Sequence, residues 1–294
     1  MQLFLRWALV LVLLSASGSS MAMVTVRDAE NNRVQLAHPA QRIVTLTPHA
    51  TELVFAAGAG ARLVGTVDYS DYPPQARHLA RVGSVIGVSL EAILRLKPDL
   101  VVAWKDGSQP QFLARLKKQG IAVYVSRPTV LDDVAREILA LGQLSATDAV
   151  AQRAAATYRA RLARLSVRYA RRPVVTVFYQ VSPSPLFTVS DASFIGPVLR
   201  LCGGRNIFGA LSIPAPQVSR EAVVAARPQV MLAGSLTELA IWDRWKSLPA
   251  VAHGTRYAVN TDLASRPGPR LADAAEAICA TLDASRHALG LTHR

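Results

Sequence analysis

Two polar loops and one matched pair of carboxylates are the residues of this sequence best suited to recognising another molecule. The first loop, Asp68-Tyr69-Ser70-Asp71-Tyr72-Pro73-Pro74, places two tyrosines, two carboxylates and a stiff proline pair directly after an apolar run. Tyr69 follows the end of that run and is the leading contact residue, whereas Tyr72-Pro73-Pro74 also has the simpler reading of a packed turn. The second loop, Thr261-Asp262-Leu263-Ala264-Ser265-Arg266-Pro267-Gly268-Pro269, opens the last helical pattern and is expected on the same ligand-facing side. Glu91 and Glu221 each lie two residues after a Ser that starts a short helix, where the helix dipole favours a carboxylate. That placement alone can account for them; the alternative is a pair of charges offered to a partner. Catalytic patterns are absent: there is no G-x-S-x-G elbow, no phosphate loop ending in Lys and no H-E-x-x-H. The histidines, His38, His49, His78, His253, His287 and His293, are scattered without ligand spacing, and only His49, at the mouth of a strand, is a candidate for touching ligand. The pattern favours a binding protein over an enzyme.

The longest element that must position these residues lies at the centre of the chain. Over residues 148–171, Val150, Ala154, Tyr158, Leu162, Leu165 and Tyr169 recur at three- and four-residue steps and form one face of a long helix. The stretch is rich in Ala, Arg and Leu; Ser145 or Thr147 can cap its start, and Pro173 closes it. The flanking segments echo one another. Residues 89–103 read SLEAILRLKPDLVVA and residues 219–233 read SREAVVAARPQVMLA, each stepping from a short helix through Pro98 or Pro228 into an apolar strand. Such an echo predicts a duplicated lobe joined by one rigid helix. Residues 24–36 alternate around a polar turn as a hairpin. Further strands are expected at 42–47, 63–67, 100–104 and 121–125, with a helix over 51–59, and then at 174–180, 187–189, 229–233 and 257–260. A helix over 194–201 is expected to stop at Cys202-Gly203-Gly204. This alternation defines an α/β fold: two similar lobes with mainly parallel sheets joined by one long α-helix.

Residues 1–22, MQLFLRWALVLVLLSASGSSMA, combine Arg6, an apolar run and the small-x-small site Ser20-Met21-Ala22, which reads as a secretory signal peptide. The apolar run is too short for a bilayer core of ~30 Å. After export Cys202 and Cys279 would meet an oxidising compartment, where a disulfide is expected. The net charge of +13 comes from 33 basic and 20 acidic residues, of which only Lys97, Lys105, Lys117, Lys118 and Lys246 are lysines. Export and the spread of the basic residues along the chain set aside nucleic acid as a partner; the Arg- and Ala-rich composition itself accounts for the excess, and attraction to anionic membrane surfaces is the secondary reading.

The blocks RIVTLTPHATELVFAAGAG, DYSDYPPQA, SLEAILRLKPDLVVAW, LRLCGGRNIF, PQVSREAV and RPGPRLADAAEAIC, in this order and spacing, resemble the periplasmic cobalamin-binding proteins of ABC importers from about Arg42 to Cys279. The resemblance implies a signal peptide at 1–22, an N-terminal lobe at 23–146, a linking helix at 147–172 and a C-terminal lobe at 173–294, with ligand in the cleft and small closure motions. By motif it implies that Tyr69 contacts ligand and that Asp262 and Arg266 form a polar pair flanking Leu263, Ala264 and Ser265. Phe187 and Trp104 are further candidates that can equally be plain core. A corrin suits such a set, offering a broad apolar plane fringed with amides and a phosphate. The resemblance further implies that Glu91 and Glu221 dock Arg pockets of an inner-membrane permease dimer. It implies a monomeric receptor that carries cobalamin as transported ligand, without catalytic cofactor or metal site. Where family members carry tryptophans before the repeated helix, this chain has Val85 and Ala215. The same-fold alternative is a haem protein with Tyr69 as iron ligand. A siderophore receptor would need a basic cluster in the cleft, where the sequence places only Arg266, and an exported enzyme acting on a corrinoid is the alternative of another class.

Overall fold

A computed structural model describes residues 23–291; the signal-peptide reading of residues 1–22 lies outside them. The chain opens with an antiparallel hairpin, β1 (Val24–Arg27) and β2 (Arg33–Leu36), as the alternation predicts. The carboxylate of Asp28 closes its turn by accepting the backbone N–H groups of Glu30 and Asn32 at 2.9 and 2.8 Å.

The first sheet is built from β3 (Ile43–Thr45), β4 (Leu63–Thr66), β5 (Ala80–Arg81), β8 (Leu100–Trp104) and β9 (Ala122–Ser126), in the order β5-β4-β3-β8-β9, every pair parallel. A small ribbon, β6 (Gly83–Ser84) and β7 (Gly87–Val88), stands apart from it. Helices α1 (Pro48–Ala56), α2 (Leu90–Arg95), α3 (Pro110–Lys118) and α4 (Leu131–Leu144) connect the strands. Helix α1 begins three residues before the expected Thr51. Pro48 serves as its first residue, where the missing N–H is no loss, and Thr47 caps it by accepting the N–H of Ala50 at 3.4 Å.

Helix α5 (Asp148–Tyr169) follows, and its buried stripe is Ala151, Ala155, Tyr158, Leu162, Leu165 and Tyr169. Val150 is exposed and Ala154 only half-buried, so the stripe starts one residue later than the periodicity alone suggests. Close packing of α4 fixes this phase: a Cβ on Gly142 would stand 2.3 Å from that of Ala151. Thr147 is the N-cap residue, one of the two expected, but its side chain makes no capping bond. Ser145 terminates α4, and the Thr147 hydroxyl donates to the carbonyl of Ala57 at 2.6 Å, tying the helix start to α1.

The second sheet contains β10 (Val175–Pro183), β11 (Leu186–Thr188), β12 (Gly204–Asn206), β13 (Val230–Ala233) and β14 (Arg256–Ala258). Only the β10–β11 pair is antiparallel. Helices α6 (Ile195–Leu201), α7 (Arg220–Ala226), α8 (Leu236–Leu239), α9 (Pro249–Ala252), α10 (Thr261–Ala264) and α11 (Leu271–Ala288) complete it. Gly203, at φ 71°, stops α6 as expected, and the chain then enters β12, a strand the turn signal concealed.

The sequence echo is a structural one. Ser89 and Ser219 cap α2 and α7 identically, accepting the N–H groups of Ala92 and Ala222 at 3.1 Å each. Ile93 and Val223 are the buried anchors, and Lys97 and Arg227, at φ 46° and 45°, make the same left-handed kink before their prolines. The inner faces of both sheets share one continuous core that runs from Leu53 and Leu141 through Tyr158 and Leu162 to Val198, Ile278 and Leu282, while each outer face has its own cluster, around Leu46 and Val101 or around Phe178 and Trp242.

Charges clamp α5 on both sides. Arg159 reaches Asp132 of α4 at 2.6 and 3.0 Å, and Arg161 reaches Asp273 and Glu276 of α11 at 2.5 and 2.9 Å. Cys202 and Cys279 are bonded, joining the end of α6 to α11. Replacing both with Ala should lower the unfolding free energy by about 4 kcal/mol, because the bridge closes a separation of 77 residues. Urea unfolding midpoints of the oxidised protein and the double variant measure this.

Candidate functional site

The segments that follow β8, β9, β13 and β14 meet the carboxyl-terminal half of β10 across one cavity of about 510 Å³. Ligands of open parallel sheets lie in this position, beyond the carboxyl ends of the strands. The first half contributes Trp104, Arg127, Pro128 and Thr129; the second contributes Tyr179, Val189, Phe194, Ile195 and Ala215, with Gln180, Ser193 and Glu238 as polar groups. Aromatic and aliphatic walls with few polar groups suit a large, mostly apolar guest.

Trp104 is held from behind. His49 meets its ring edge-on at 5.7 Å, and His49 Nε2 lies 3.1 Å from Ser126 Oγ, which donates to Glu137 Oε2 at 2.5 Å. Burial, aided by the charge of Arg266, pushes the His49 pKa down to about 3, so the ring is neutral. Burial pushes Glu137 up to about 7 even though the Ser126 hydroxyl and the Arg127 N–H both favour its carboxylate. His49 therefore supports the wall and does not line it.

Beside the cavity an ionic cluster ties the two halves together. Glu52, buried on α1, accepts both arms of Arg270, Nε at 2.9 Å and Nη2 at 2.6 Å, and is 3.4 Å from Arg266 Nη1. Arg266 also lies 3.5 Å from Asp71 and 3.9 Å from Asp262. The Arg270 guanidinium stacks 3.9 Å over the ring of Tyr72. A planar two-pronged cation matches a carboxylate better than an ammonium would, so this geometry is specific to arginine.

Of the residues singled out in the sequence, Trp104, Ala264 and Ser265 line the cavity. Tyr69 is 78% exposed, at φ 63°, on the loop whose Asp71 meets Arg266; it and Asp262 stand outside the cavity wall. Leu263 packs against the shared core, and Phe187, half-buried on β11, lies outside the cavity wall. Ala215 faces the cavity, whereas Val85 lines a separate groove with Leu46 and Phe112. Arg266 is not the sole cation near the cleft, since Arg127 and Arg270 join it. Glu91 and Glu221 occupy the first turns of α2 and α7, with the Glu91 side chain 81% exposed.

Sequence reasoning missed Glu52, Arg270, Tyr179, Gln180 and Glu238. Two of these left a signal: Glu52 is a lone carboxylate directly before the apolar run LVFA of α1, and Asp262, Arg266 and Arg270 recur at four-residue steps, the spacing of one helical face. Nothing local marks the other three, whose roles depend on which strands become neighbours.

A family model described as periplasmic binding protein matches residues 43–263, and the chain belongs to that family. It is 42% identical over 247 residues, 83% of this chain and 90% of the relative, to a vitamin B12-binding protein of Vibrio cholerae serotype O1, and 38% identical over 248 residues, 83% and 86% of the two chains, to one of Yersinia pestis. Among solved structures, the periplasmic vitamin B12 binding protein BtuF of Vibrio cholerae superposes with a TM-score of 0.79 at 41% identity, covering 84% of this chain and 98% of that one. The periplasmic heme-binding protein RhuT from Roseiflexus sp. RS-1 shares the fold, with a TM-score of 0.75 at 23% identity over 84% and 99% of the two chains.

Glu52→Ala would leave two partly buried guanidinium groups without their shared anion and should destabilise the protein by about 3 kcal/mol, read from denaturant unfolding. The two shifted groups predict a pH profile. Glu137 titrates at 4.5 when unfolded and about 7 when folded, so the folded state retains a proton between these values and stability falls as pH rises. His49 titrates at 6.5 unfolded and about 3 folded, so its contribution grows over that interval as pH rises. The slopes oppose each other between pH 4.5 and 6.5. Glu137→Gln removes the falling limb, and its urea midpoint should keep rising through this window where the parent protein's stays nearly flat.

Proposed function

We propose that this chain captures cobalamin, or a related corrinoid, between its two halves and delivers it to an inner-membrane ABC transporter. The observation that carries the reading is a single cavity walled by both halves, with Trp104, Tyr179 and Phe194 as flat surfaces and a sparse set of polar groups. Its likeness to proteins named for vitamin B12 binding, over more than four-fifths of the chain, agrees with it.

In this reading residues 1–22 are a cleaved signal peptide, residues 23–146 and 173–294 are the two lobes, and residues 147–172 link them. Trp104, Ala264 and Ser265 meet the guest inside the cavity, and Tyr69, Asp262 and Arg266 meet its polar fringe at the rim. Arg266 gives up part of its contact with Glu52 and Asp71 to bond the phosphate. Because α5 is packed into both lobes, closure is small. The receptor acts as a monomer. Glu91 and Glu221 dock the two subunits of the permease dimer, one lobe on each. The N–H of Glu221 itself and the Ser219 hydroxyl hold the Glu221 carboxyl below its usual range, so it meets a partner as an anion.

Calorimetric titration of the mature protein with cyanocobalamin and with haem tests the reading. Saturable one-to-one heat with cyanocobalamin, and its release unaltered afterwards, is expected. Haem binding with a spectrum that depends on Tyr69, and no heat with cyanocobalamin, would replace it with the haem reading. Glu91→Ala combined with Glu221→Ala should leave cyanocobalamin affinity unchanged and weaken co-purification with the reconstituted transporter; an undiminished complex would remove these residues from docking.

A further inference from the structure

One segment of the first half is a partition with space on both faces. Arg127, Pro128 and Thr129 wall the central cavity, and Arg127, Thr129 and Val130 also line a second cleft of about 610 Å³, whose other lining comes from the β1–β2 turn (Asp28, Ala29, Asn31), Tyr124 and α4. The first sheet does not hold this segment, since β9 ends at Ser126. Two carboxyl groups one turn apart on α4 hold it instead. Glu137 Oε1 accepts the N–H of Arg127 at 2.8 Å, and Asp133 Oδ2 accepts those of Thr129 and Val130 at 2.8 Å each. Pro128 has no N–H, so every backbone donor of residues 127–130 ends on one of these two side chains.

Glu137 alone reaches further. Its Oε2 accepts the Ser126 hydroxyl, Ser126 Oγ lies 3.1 Å from His49 Nε2, and the His49 ring meets Trp104 edge-on. One carboxyl group, only 4% exposed and outside the cavity lining, therefore ties together the loop and the aromatic plane that the first half presents to the cavity. A wall backed by close packing keeps its place when one hydrogen bond is lost; a wall with a cleft behind it depends on those bonds for its place. We infer that Glu137 is a positioning residue for guest binding, which holds Arg127, Pro128, Thr129 and Trp104 against the guest without touching it. This rests on the corrinoid reading above, and adds which side chain sets where the first-half wall stands.

The test titrates cyanocobalamin calorimetrically into the mature protein and into Glu137→Ala, Glu137→Gln and Ser126→Ala. Each titration is run where circular dichroism shows the variant folded, so a loss of stability alone moves none of the ratios. Glu137→Ala should bind about tenfold more weakly than the parent. Glu137→Gln should stay within about twofold, because its carbonyl still accepts from Arg127 and its amide donates to Ser126 Oγ, which then turns its own proton to His49. Ser126→Ala cuts the path to Trp104 and spares the Arg127 bond, and should lose about threefold. In a Trp104→Ala background Glu137→Ala should likewise cost only about threefold, the share carried by the loop. Should Glu137→Ala not fold, Ser126→Ala and Glu137→Gln decide the matter. Parent affinity in Glu137→Ala or in Ser126→Ala, a tenfold loss in Glu137→Gln, or an undiminished cost in the Trp104→Ala background would overturn the inference while leaving the corrinoid reading intact. Absence of any heat between the parent and cyanocobalamin would overturn both.

Discussion

The fold depends on one apolar stripe that must be covered from two directions. Ala151, Ala155, Tyr158, Leu162, Leu165 and Tyr169 project from α5 into a core that α4 completes on one side and α11 on the other. A linker of extended chain could separate two independent cores; this one is itself part of the core, so moving either half relative to α5 exposes buried surface. Arg159 and Arg161, two residues apart, fasten the helix to opposite neighbours and oppose rotation about its axis. The cavity between the halves is lined by side chains from both of them, beside the helix that joins them.

Charge is arranged around that cavity with the same economy. The basic excess of the chain does not collect inside it, because Glu52 and Asp71 of one half engage Arg266 and Arg270 of the other. Behind the aromatic wall, a neutral His49 and a Glu137 that ionises reluctantly keep a buried polar file, His49-Ser126-Glu137, from placing fixed charge beneath Trp104. The cavity thus presents a mostly apolar surface edged by charges that already have partners, Asp106 with Arg127 and Glu52 with Arg266 and Arg270.

Much of the architecture was legible because it repeats. Two copies of a Ser-capped helix, a proline kink and an apolar strand gave the lobes, and an uninterrupted run of Ala, Arg and Leu gave the connector. The errors were local and physical. Helix α1 starts at Pro48 and not at Thr51, the Thr147 hydroxyl at the start of α5 reaches Ala57 and not a helix N–H, and Val150 falls outside a stripe whose phase α4 sets through Gly142. The site was less legible. Its loops could be placed because strand ends announce them, but Glu52, Arg270 and Glu238 acquire meaning only when residues about two hundred positions apart, or on neighbouring strands, are brought together. Burial also separated candidates that looked alike in the sequence: His49 and Leu263 face inward behind the wall, and Tyr69 stands in the open.

Helix α11 is one of the two that roof the connector. Until residues 271–288 arrive, Leu162, Leu165 and Tyr169 lack part of their cover, and Arg286, which donates to the carbonyls of Pro173 and Cys202, has not yet gathered the second half around itself. A nascent chain thereby keeps part of this core uncovered until α11 arrives. Such a chain remains extended for longer than one whose halves close independently.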